Sequence, residues 1–263
     1  MFNRLFLPVL AVCSGVLAGS ARAQYEFFSP RGSFAVEVSL ENTAKFRLPI
    51  YRNAITSLAC QGDFAIGGTS ANEGLSPFLF AVSLSKKELV AAFDLAQAVE
   101  GQRTIQSGFG RVGQAFYAGT LPDRQDDSGH LIKVTFDGGK FTVTDPGVAV
   151  AGEGVFSLTA DPSRNRLYGM SHPAGKFFSY DIATAKVTVF DQTAFTGRQK
   201  GYLHEYSLEP GDIISRRLTV DRKGRVYGSQ PVNSVFRFDP ATGKIETLKD
   251  ELPEVWGRRA LGR

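Results

Sequence analysis

Cysteine and long apolar runs are both scarce in this chain of 263 residues. It contains two cysteines, Cys13 and Cys60, which is too few for a disulfide framework. Its main apolar stretch, residues 5–17, is shorter than the roughly 20 residues that a membrane-spanning helix needs, and no later stretch approaches that length. The sequence therefore predicts a chain without a membrane span, stabilised by an ordinary hydrophobic core.

The N-terminal residues 1–23 are predicted to be a secretory signal peptide. Arg4 lies in a short basic segment, residues 5–17 are apolar, and Ala21-Arg22-Ala23 forms a small-residue cleavage site. Lipidation at Cys13 is an alternative, although the residue before it is a poor one for that modification. We expect export to the periplasm or the medium, with cleavage near Ala23.

The charge balance is nearly even. The formal net charge is +4, and removal of the signal peptide takes away Arg4 and Arg22 but no acidic residue, which leaves +2. Domains that bind nucleic acid usually carry a clear excess of basic residues, so we expect no nucleic-acid partner. The mature chain keeps only Cys60, which falls in a predicted inner strand, and we expect it to be a small buried residue.

A short β-patterned motif recurs four times along the chain. Its copies are FAIGG at 64–68, AFYAG at 115–119, RLYGM at 166–170 and RVYGS at 225–229. The aligned residues Ile66, Tyr117, Tyr168 and Tyr227 are separated by 51, 51 and 59 positions. A period of about 50 with four strands per copy is typical of β-propeller blades. The sequence thus predicts an all-β propeller of four-stranded antiparallel blades in residues 24–263.

Alternation of apolar and polar residues predicts four short strands in each copy. In the third copy they are 155–160, 166–170, 176–181 and 186–190, and in the fourth 217–220, 225–229, 234–238 and 244–248. Turns from first to second and from third to fourth strand are short. The other connections are longer, such as 69–77, 121–129, 146–154 and 191–215. Because these two classes of connection emerge on the same face of a propeller, we expect the functional site there.

Both ends of the mature chain predict pieces of further blades. Residues 33–40 alternate as in a strand and 45–49 follow a short turn, which fits the two outer strands of a preceding blade. Residues 252–263 repeat the beginning of a connection between blades. We expect about four full blades plus these partial strands. Two interpretations remain open: a truncated form of a longer propeller, or a five-blade ring closed imperfectly between the termini.

The pairs Tyr168-Gly169 and Tyr227-Gly228, with the segment FDPATGK at 238–244, resemble a group of exported bacterial propellers. The group includes YVTN-like proteins and proteins similar to the quinoprotein amine dehydrogenase β-chain, with streptogramin B lyase and gluconolactonase as relatives. The resemblance covers residues 33–250 and implies the propeller fold. The metal-binding Glu, Asn and Asp of the lactonases and the catalytic His pattern of the lyase find no match here, so neither activity is implied.

Histidines are few, and two of the three fall in predicted loops of the functional face. His172 lies between a second and a third strand, while His204 lies in the long insertion and is followed by Glu205. Two imidazoles and a carboxylate would suit a divalent metal or a general base. No fixed ligand spacing supports a metal site, however, and unrelated loop histidines are the alternative. His130 begins a third strand and is expected to be structural.

Arginines and tyrosines in the same region suit an anionic ligand. The insertion contains Arg198 and Tyr202; aromatic rings stack on sugars and arginines pair with carboxylates, although the insertion is equally suited to cover the blades. Arginines also recur at the starts of inner strands, where we predict an anion-binding ring at the channel mouth. The alternative is that they pair with loop carboxylates, namely Asp126, Asp127 and Asp212. The members of the predicted ring are Arg52, Arg103, Arg216, Arg217, Arg258 and Arg259.

These features favour an exported binding module that recognises an extracellular ligand, either an anionic carbohydrate or a partner protein, through one loop-rich face. Repeat regularity without a recognisable catalytic motif favours binding over catalysis. The alternative is a metal-assisted lyase or hydrolase acting on uronate-containing saccharides, with His172 and His204 as ligands or base. A propeller that only contacts other subunits is a third interpretation. The sequence identifies no cofactor.

Overall fold

The computed structural model describes residues 54–190, 214–230 and 234–248, together with two short strands nearer the N-terminus. Those two strands, β1 (Glu26–Phe28) and β2 (Phe34–Val36), form an antiparallel pair. Blade 1 consists of β3 (Ile55–Gln61), β4 (Phe64–Thr69), β5 (Phe78–Ser83) and β6 (Glu88–Asp94). Blade 2 consists of β7 (Gln102–Ile105), β8 (Gly110–Val112), β9 (Ala115–Pro122), β10 (His130–Phe136) and β11 (Phe141–Val148).

The remaining strands complete two more antiparallel sheets in sequence order. Blade 3 consists of β12 (Gly154–Asp161), β13 (Arg166–His172), β14 (Phe177–Asp181) and β15 (Lys186–Val189). Blade 4 consists of β16 (Leu218–Val220), β17 (Val226–Gln230), β18 (Ser234–Asp239) and β19 (Lys244–Thr247). The predicted all-β class is confirmed, and these strands agree with the predicted ones to within two residues at each end. The sheets are compatible with propeller blades.

Short turns join the strands at one end of the blades, and aspartate side chains stabilise these turns by accepting hydrogen bonds from backbone amides. The Asp161 carboxylate accepts hydrogen bonds from the Ser163 and Arg164 amides, at 3.1 and 3.3 Å. Asn165 then adopts a left-handed conformation with φ of 52°, which asparagine tolerates better than most residues. Asp221 similarly accepts the Lys223 amide at 2.8 Å. The aspartates that predicted tight hairpins in the sequence therefore accept hydrogen bonds from amides within the turns.

Successive blades stack face to face through apolar clusters. Ile66 lies between blades 1 and 2, Tyr117 between blades 2 and 3, and Tyr168 between blades 3 and 4, all nearly inaccessible to solvent. The repeat residues therefore point into the following interface. Among the described residues, no cluster connects blade 4 back to blade 1, so closure of a ring stays a prediction.

A glycine beneath an aromatic ring explains the Tyr-Gly motif. Gly169 pairs directly with Phe178 across β13 and β14, and a Cβ atom added to Gly169 would lie 2.4 Å from the Phe178 ring. Blades 1 and 4 contain equivalent pairs. Blade 2 has Ala118 opposite Ile132 instead, so the smaller partner leaves room for a methyl group. The motif is thus a packing requirement across two strands.

The inner strand of blade 1 is partly exposed on the side away from blade 2, although Phe80, Val82 and Leu89 on the same side are buried. Its inner-strand residue Leu58 is 62% exposed, whereas Leu158, at the same position of blade 3, is 6% exposed. Cys60 lies in the predicted inner strand but is exposed, so the prediction of burial was wrong. Burial of an inner strand depends on a stacked neighbouring blade, and among the described residues none covers this part of blade 1.

The N-terminal strands differ partly from the prediction. β2 falls within the predicted strand 33–40, but its partner is β1, a strand that the sequence analysis did not identify. The predicted strand 45–49 and the predicted connection 252–263 lie outside the described residues. No helix in the described part of the chain is long and apolar enough to cross a membrane.

Candidate functional site

The long connections meet at one face of the sheets. The connection after β4 contacts the start of blade 2, where the Ala71 amide donates to the Arg103 carbonyl at 2.7 Å. One blade later, the Gly129 amide donates to the Glu153 carbonyl at 2.9 Å. Each bond joins a connection within one blade to the start of the next blade. We call this end the loop face, and the opposite end, which carries the short turns, the hairpin face.

Glu153 organises the loop face where blade 3 begins. It is 8% exposed, and its carboxylate accepts the Ala174 amide at 2.9 Å. The Lys176 ammonium lies 3.9 Å from its other oxygen. A buried carboxylate needs such partners because it has lost its hydration. Glu153 therefore fixes the connection that follows His172, and this is a structural role within the face.

The structure describes three of the nine predicted binding residues. Arg103 lies in β7 and Arg217 lies just before β16; both side chains are exposed. His172 is the last residue of β13 and is half-buried. The other six lie outside the described residues: Arg52, Arg198, Tyr202, His204, Glu205 and Arg258. Convergence of the arginines into a ring and proximity of His172 to His204 therefore stay predictions.

Three arginines of the hairpin face, Arg164, Arg166 and Arg225, are paired with carboxylates. Arg166 lies 3.0 Å from Asp181, and Arg225 lies 2.6 Å from Asp221. The hydrogen bond from Arg166 lowers the pKa of Asp181. Burial acts to raise the pKa of Asp221, but hydrogen bonds from Arg225 and Tyr227 outweigh it and lower that pKa to about 2. These guanidinium groups are thus neutralised by neighbouring acids, whereas Arg111, beside a turn of the same face, and Arg222, in another turn, form no ion pair with a described carboxylate within 4.0 Å.

Arginines of the loop face are not neutralised in this way. Within the described ranges, Arg103, Arg216 and Arg217 form no ion pair with a carboxylate within 4.0 Å. Their predicted alternative partners Asp126 and Asp127 are exposed and form no ion pair with them; Asp212 lies outside the described residues. The loop face therefore presents guanidinium groups whose donors are open to an external anion.

Phe156 is a residue of this face that the sequence analysis missed. It is the extra residue of a bulge in β12, since Val155 pairs with Ser171 and Ser157 pairs with Met170. The His172 ring stacks on the Phe156 ring at 5.6 Å with an interplanar angle of 20°. The serine that follows the bulge in blades 1 and 3, in Thr56-Ser57 and Phe156-Ser157, was the available signal, because it aligns Phe156 with a threonine.

Arg216 completes a cluster with these two rings. Its guanidinium carbon lies 5.8 Å from the centre of the Phe156 ring, within the range of a cation–π interaction. The sequence analysis placed Arg216 in the predicted ring but did not detect its contact with an aromatic side chain. We call Phe156, His172 and Arg216 the aromatic–arginine cluster.

The other histidine of the described region pairs with an aspartate. His130 begins β10, and its Nδ1 lies 2.9 Å from the Asp145 carboxylate. No group of three or more His, Cys, Asp or Glu side chains that would suit a metal ion occurs in residues 54–190, 214–230 and 234–248. The histidine pair of the predicted metal-assisted enzyme includes His204, which lies outside these ranges.

Comparisons with known proteins support the fold. No family model matches the chain, and no curated protein matches it either, so the resemblance to YVTN-like propellers stays a prediction. A crystal structure described as the extracellular domain of a one-component system from Bacteroides thetaiotaomicron aligns with a TM-score of 0.52 and 17% identity over 82% of this chain. An auxiliary nutrient binding protein from the same organism aligns with a TM-score of 0.48 and 12% identity over 74% of this chain. The chain spans 24% and 41% of the lengths of these two structures, and at such identities the first likeness shows a similar all-β fold.

Proposed function

We propose that this chain is an exported binding module whose loop face takes an anionic carbohydrate. The observation that carries the proposal is the group of three exposed arginines on the loop face, Arg103, Arg216 and Arg217. These three arginines have no carboxylate partner within 4.0 Å among the described residues. On the hairpin face, by contrast, Arg164, Arg166 and Arg225 pair with Asp161, Asp181 and Asp221. A surface that keeps its cations unpaired is suited to a ligand that brings the negative charge.

Export rests on the signal peptide predicted in residues 1–23. A carbohydrate is favoured over a partner protein because the loop face combines arginine with aromatic rings in a small cluster. Aromatic faces contact the C–H groups of sugar rings, and guanidinium groups pair with carboxylates through two parallel hydrogen bonds. No observation in the described residues favours the metal-assisted lyase or hydrolase, so we propose binding alone.

A titration with a matched pair of saccharides tests the proposal. The mature chain is titrated calorimetrically with an oligogalacturonate and with the same oligomer after full methyl esterification, which removes the charge and keeps the sugar. We expect binding of the acid form, weaker binding of the ester, and a loss of affinity as salt screens the charges. Equal affinities for acid and ester would contradict an anion site, and no binding of either would contradict the carbohydrate proposal.

Variants locate the binding to the loop face. The double variant Arg103→Gln/Arg217→Gln removes two exposed cations there, and Arg222→Gln removes an exposed cation from a turn of the hairpin face. We expect the double variant to bind the acid roughly three- to tenfold more weakly, as exposed ion pairs contribute up to about 1 kcal/mol each. Arg222→Gln should bind as the parent does. The reverse order would place the ligand on the hairpin face.

A further inference from the structure

We infer that the aromatic–arginine cluster of Phe156, His172 and Arg216 is a subsite for one uronic acid residue of the ligand. In this subsite Arg216 pairs with the sugar carboxylate, and the two aromatic rings contact the sugar ring. The inference rests on the proposed function, because it names the substrate class and the position of binding on the same loop face.

The bulge in β12 does not require an aromatic residue. Blade 1 has the same bulge in β3, between Ile55 and Ser57, and the residue there is Thr56. The Thr56 hydroxyl donates to the Ile105 carbonyl at 2.6 Å, with the Gly68 carbonyl 3.2 Å away, so it stabilises the contact between blades 1 and 2. A bulge directs its extra side chain away from the regular ladder. Phe156 packs partly against the core cluster between blades 3 and 4, but the bulge of blade 1 accommodates a small polar residue at the same position.

Arg216 is positioned for a ligand before the ligand arrives. Its guanidinium rests against the Phe156 ring, while the side chain as a whole is exposed. The contact with the ring restricts the rotamers of a long side chain, so less conformational entropy is lost when an anion binds. Because the planar guanidinium presents parallel donors, it matches the two oxygens of a carboxylate better than an ammonium group does.

Neighbouring charges do not oppose a carboxylate at this point. The acidic group next to the cluster along β12 is Glu153, and its carboxylate is engaged by the Ala174 amide and by Lys176. Because Lys176 balances Glu153, the additional positive charge on this face comes from Arg217, which is exposed. The field near Arg216 from these described residues therefore favours an anion.

The aromatic pair supplies the second part of the recognition. Phe156 packs partly against the core cluster between blades 3 and 4, and the Phe156 and His172 rings are both half-buried, so each keeps part of its surface accessible. Apolar surface next to a cation suits a ligand in which a C–H-rich ring directly carries a carboxylate, and this is the structure of a uronic acid. A simple inorganic anion would use Arg216 and leave the rings without a partner.

Three variants and two matched ligands separate these contributions. Arg216→Gln removes the charge, Arg216→Lys keeps the charge without the planar fork, and Phe156→Leu keeps an apolar side chain without the aromatic face. Each is titrated with oligogalacturonate and with its methyl ester, and Arg222→Gln on the hairpin face is the control. Thermal unfolding of each variant, followed by circular dichroism, shows whether the fold is retained.

The expected result is specific for each change. Arg216→Gln should weaken binding of the acid about tenfold or more and leave the ester unchanged, since only the acid carries the partner of the guanidinium. Arg216→Lys should recover part of that loss. Phe156→Leu should weaken acid and ester by similar factors, because both contain the same sugar ring. The control should bind both ligands as the parent does.

The outcomes distinguish this inference from the proposed function. If the parent binds the acid and Arg103→Gln/Arg217→Gln weakens it, while Arg216→Gln has no effect, the loop face binds the saccharide and the subsite is wrong. If inorganic sulfate competes with the acid as well as free galacturonate does, the rings contribute nothing and the uronate class is wrong. If the parent binds neither oligomer, the proposed function itself fails.

Discussion

Replacement of Gly169 by alanine should destabilise the protein through the ring of Phe178. A Cβ atom at position 169 would lie 2.4 Å from the Phe178 ring and 2.8 Å from the Ser157 carbonyl oxygen, so either the ring or the backbone must move. Overpacking of this kind in a close-packed interior costs about 1–3 kcal/mol of unfolding free energy. Phe178 is fully buried, which leaves its ring little room to move.

Blade 2 provides the compensating change. Ala118 and Ile132 occupy these two positions there and are both fully buried. The variant Phe178→Ile alone should lose about 1–2 kcal/mol because it leaves a cavity. In the double variant Gly169→Ala/Phe178→Ile the added methyl group should occupy part of that space, so its loss should be smaller than the sum of the single losses by about 1 kcal/mol.

Urea unfolding followed by far-ultraviolet circular dichroism measures these free energies. Gly108→Ala is the matched control, because a Cβ atom there would contact nothing within 4 Å and its backbone is not left-handed. We expect that control to stay within about 0.5 kcal/mol of the parent. The packing explanation of the repeat would be refuted if Gly169→Ala were as stable as the control. It would also be refuted if the double variant lost the full sum of the two single losses in unfolding free energy.

Three further predictions concern burial and charge. Leu158→Ala should lower the unfolding free energy by about 2–5 kcal/mol in the same urea assay, and Leu58→Ala by less than about 1 kcal/mol, because Leu158 is 6% and Leu58 62% exposed. Equal losses would show that both side chains are covered. The folded pKa of Asp221 is about 2, below its usual 3.8, so its carboxylate stabilises the fold above about pH 4 and this stabilisation disappears as the pH falls towards 2. The stability difference between the parent and Asp221→Asn should therefore shrink over that range in acid titrations, and a constant difference would contradict the pKa shift. Glu153→Ala should accelerate hydrogen exchange of the Ala174 amide, which donates to Glu153, without accelerating exchange in the hairpin turns.

The strands of the fold were predictable because the repeat is regular. The motif at Tyr168-Gly169 placed the second strand, and the spacing of its copies placed the blades. The reason for the glycine was not accessible, since it depends on the ring of Phe178 on the next strand. Cys60 shows the limit of the same reasoning: alternation identifies which residues share a sheet face, but burial of that face depends on whether another blade stacks on it.

The candidate site was only partly predictable. Separation of long and short connections identified the loop face correctly, because it follows from the direction of each strand. Phe156 was missed because an aromatic residue in an alternating strand is usually part of the core, and sequence alone does not reveal a bulge. Arg216 was recognised as a residue at the start of an inner strand, but its contact with Phe156 depends on how blade 4 stacks against blade 3.

The measurement that tests the central claim most directly is hydrogen exchange of the mature chain with and without saturating oligogalacturonate. The account predicts slower exchange in the connections of the loop face at residues 149–153, 172–176 and 214–217, and no change in the turns of the hairpin face at 161–165, 181–186 and 221–224. Protection centred on those turns, or spread evenly over both faces, would contradict a binding site on the loop face.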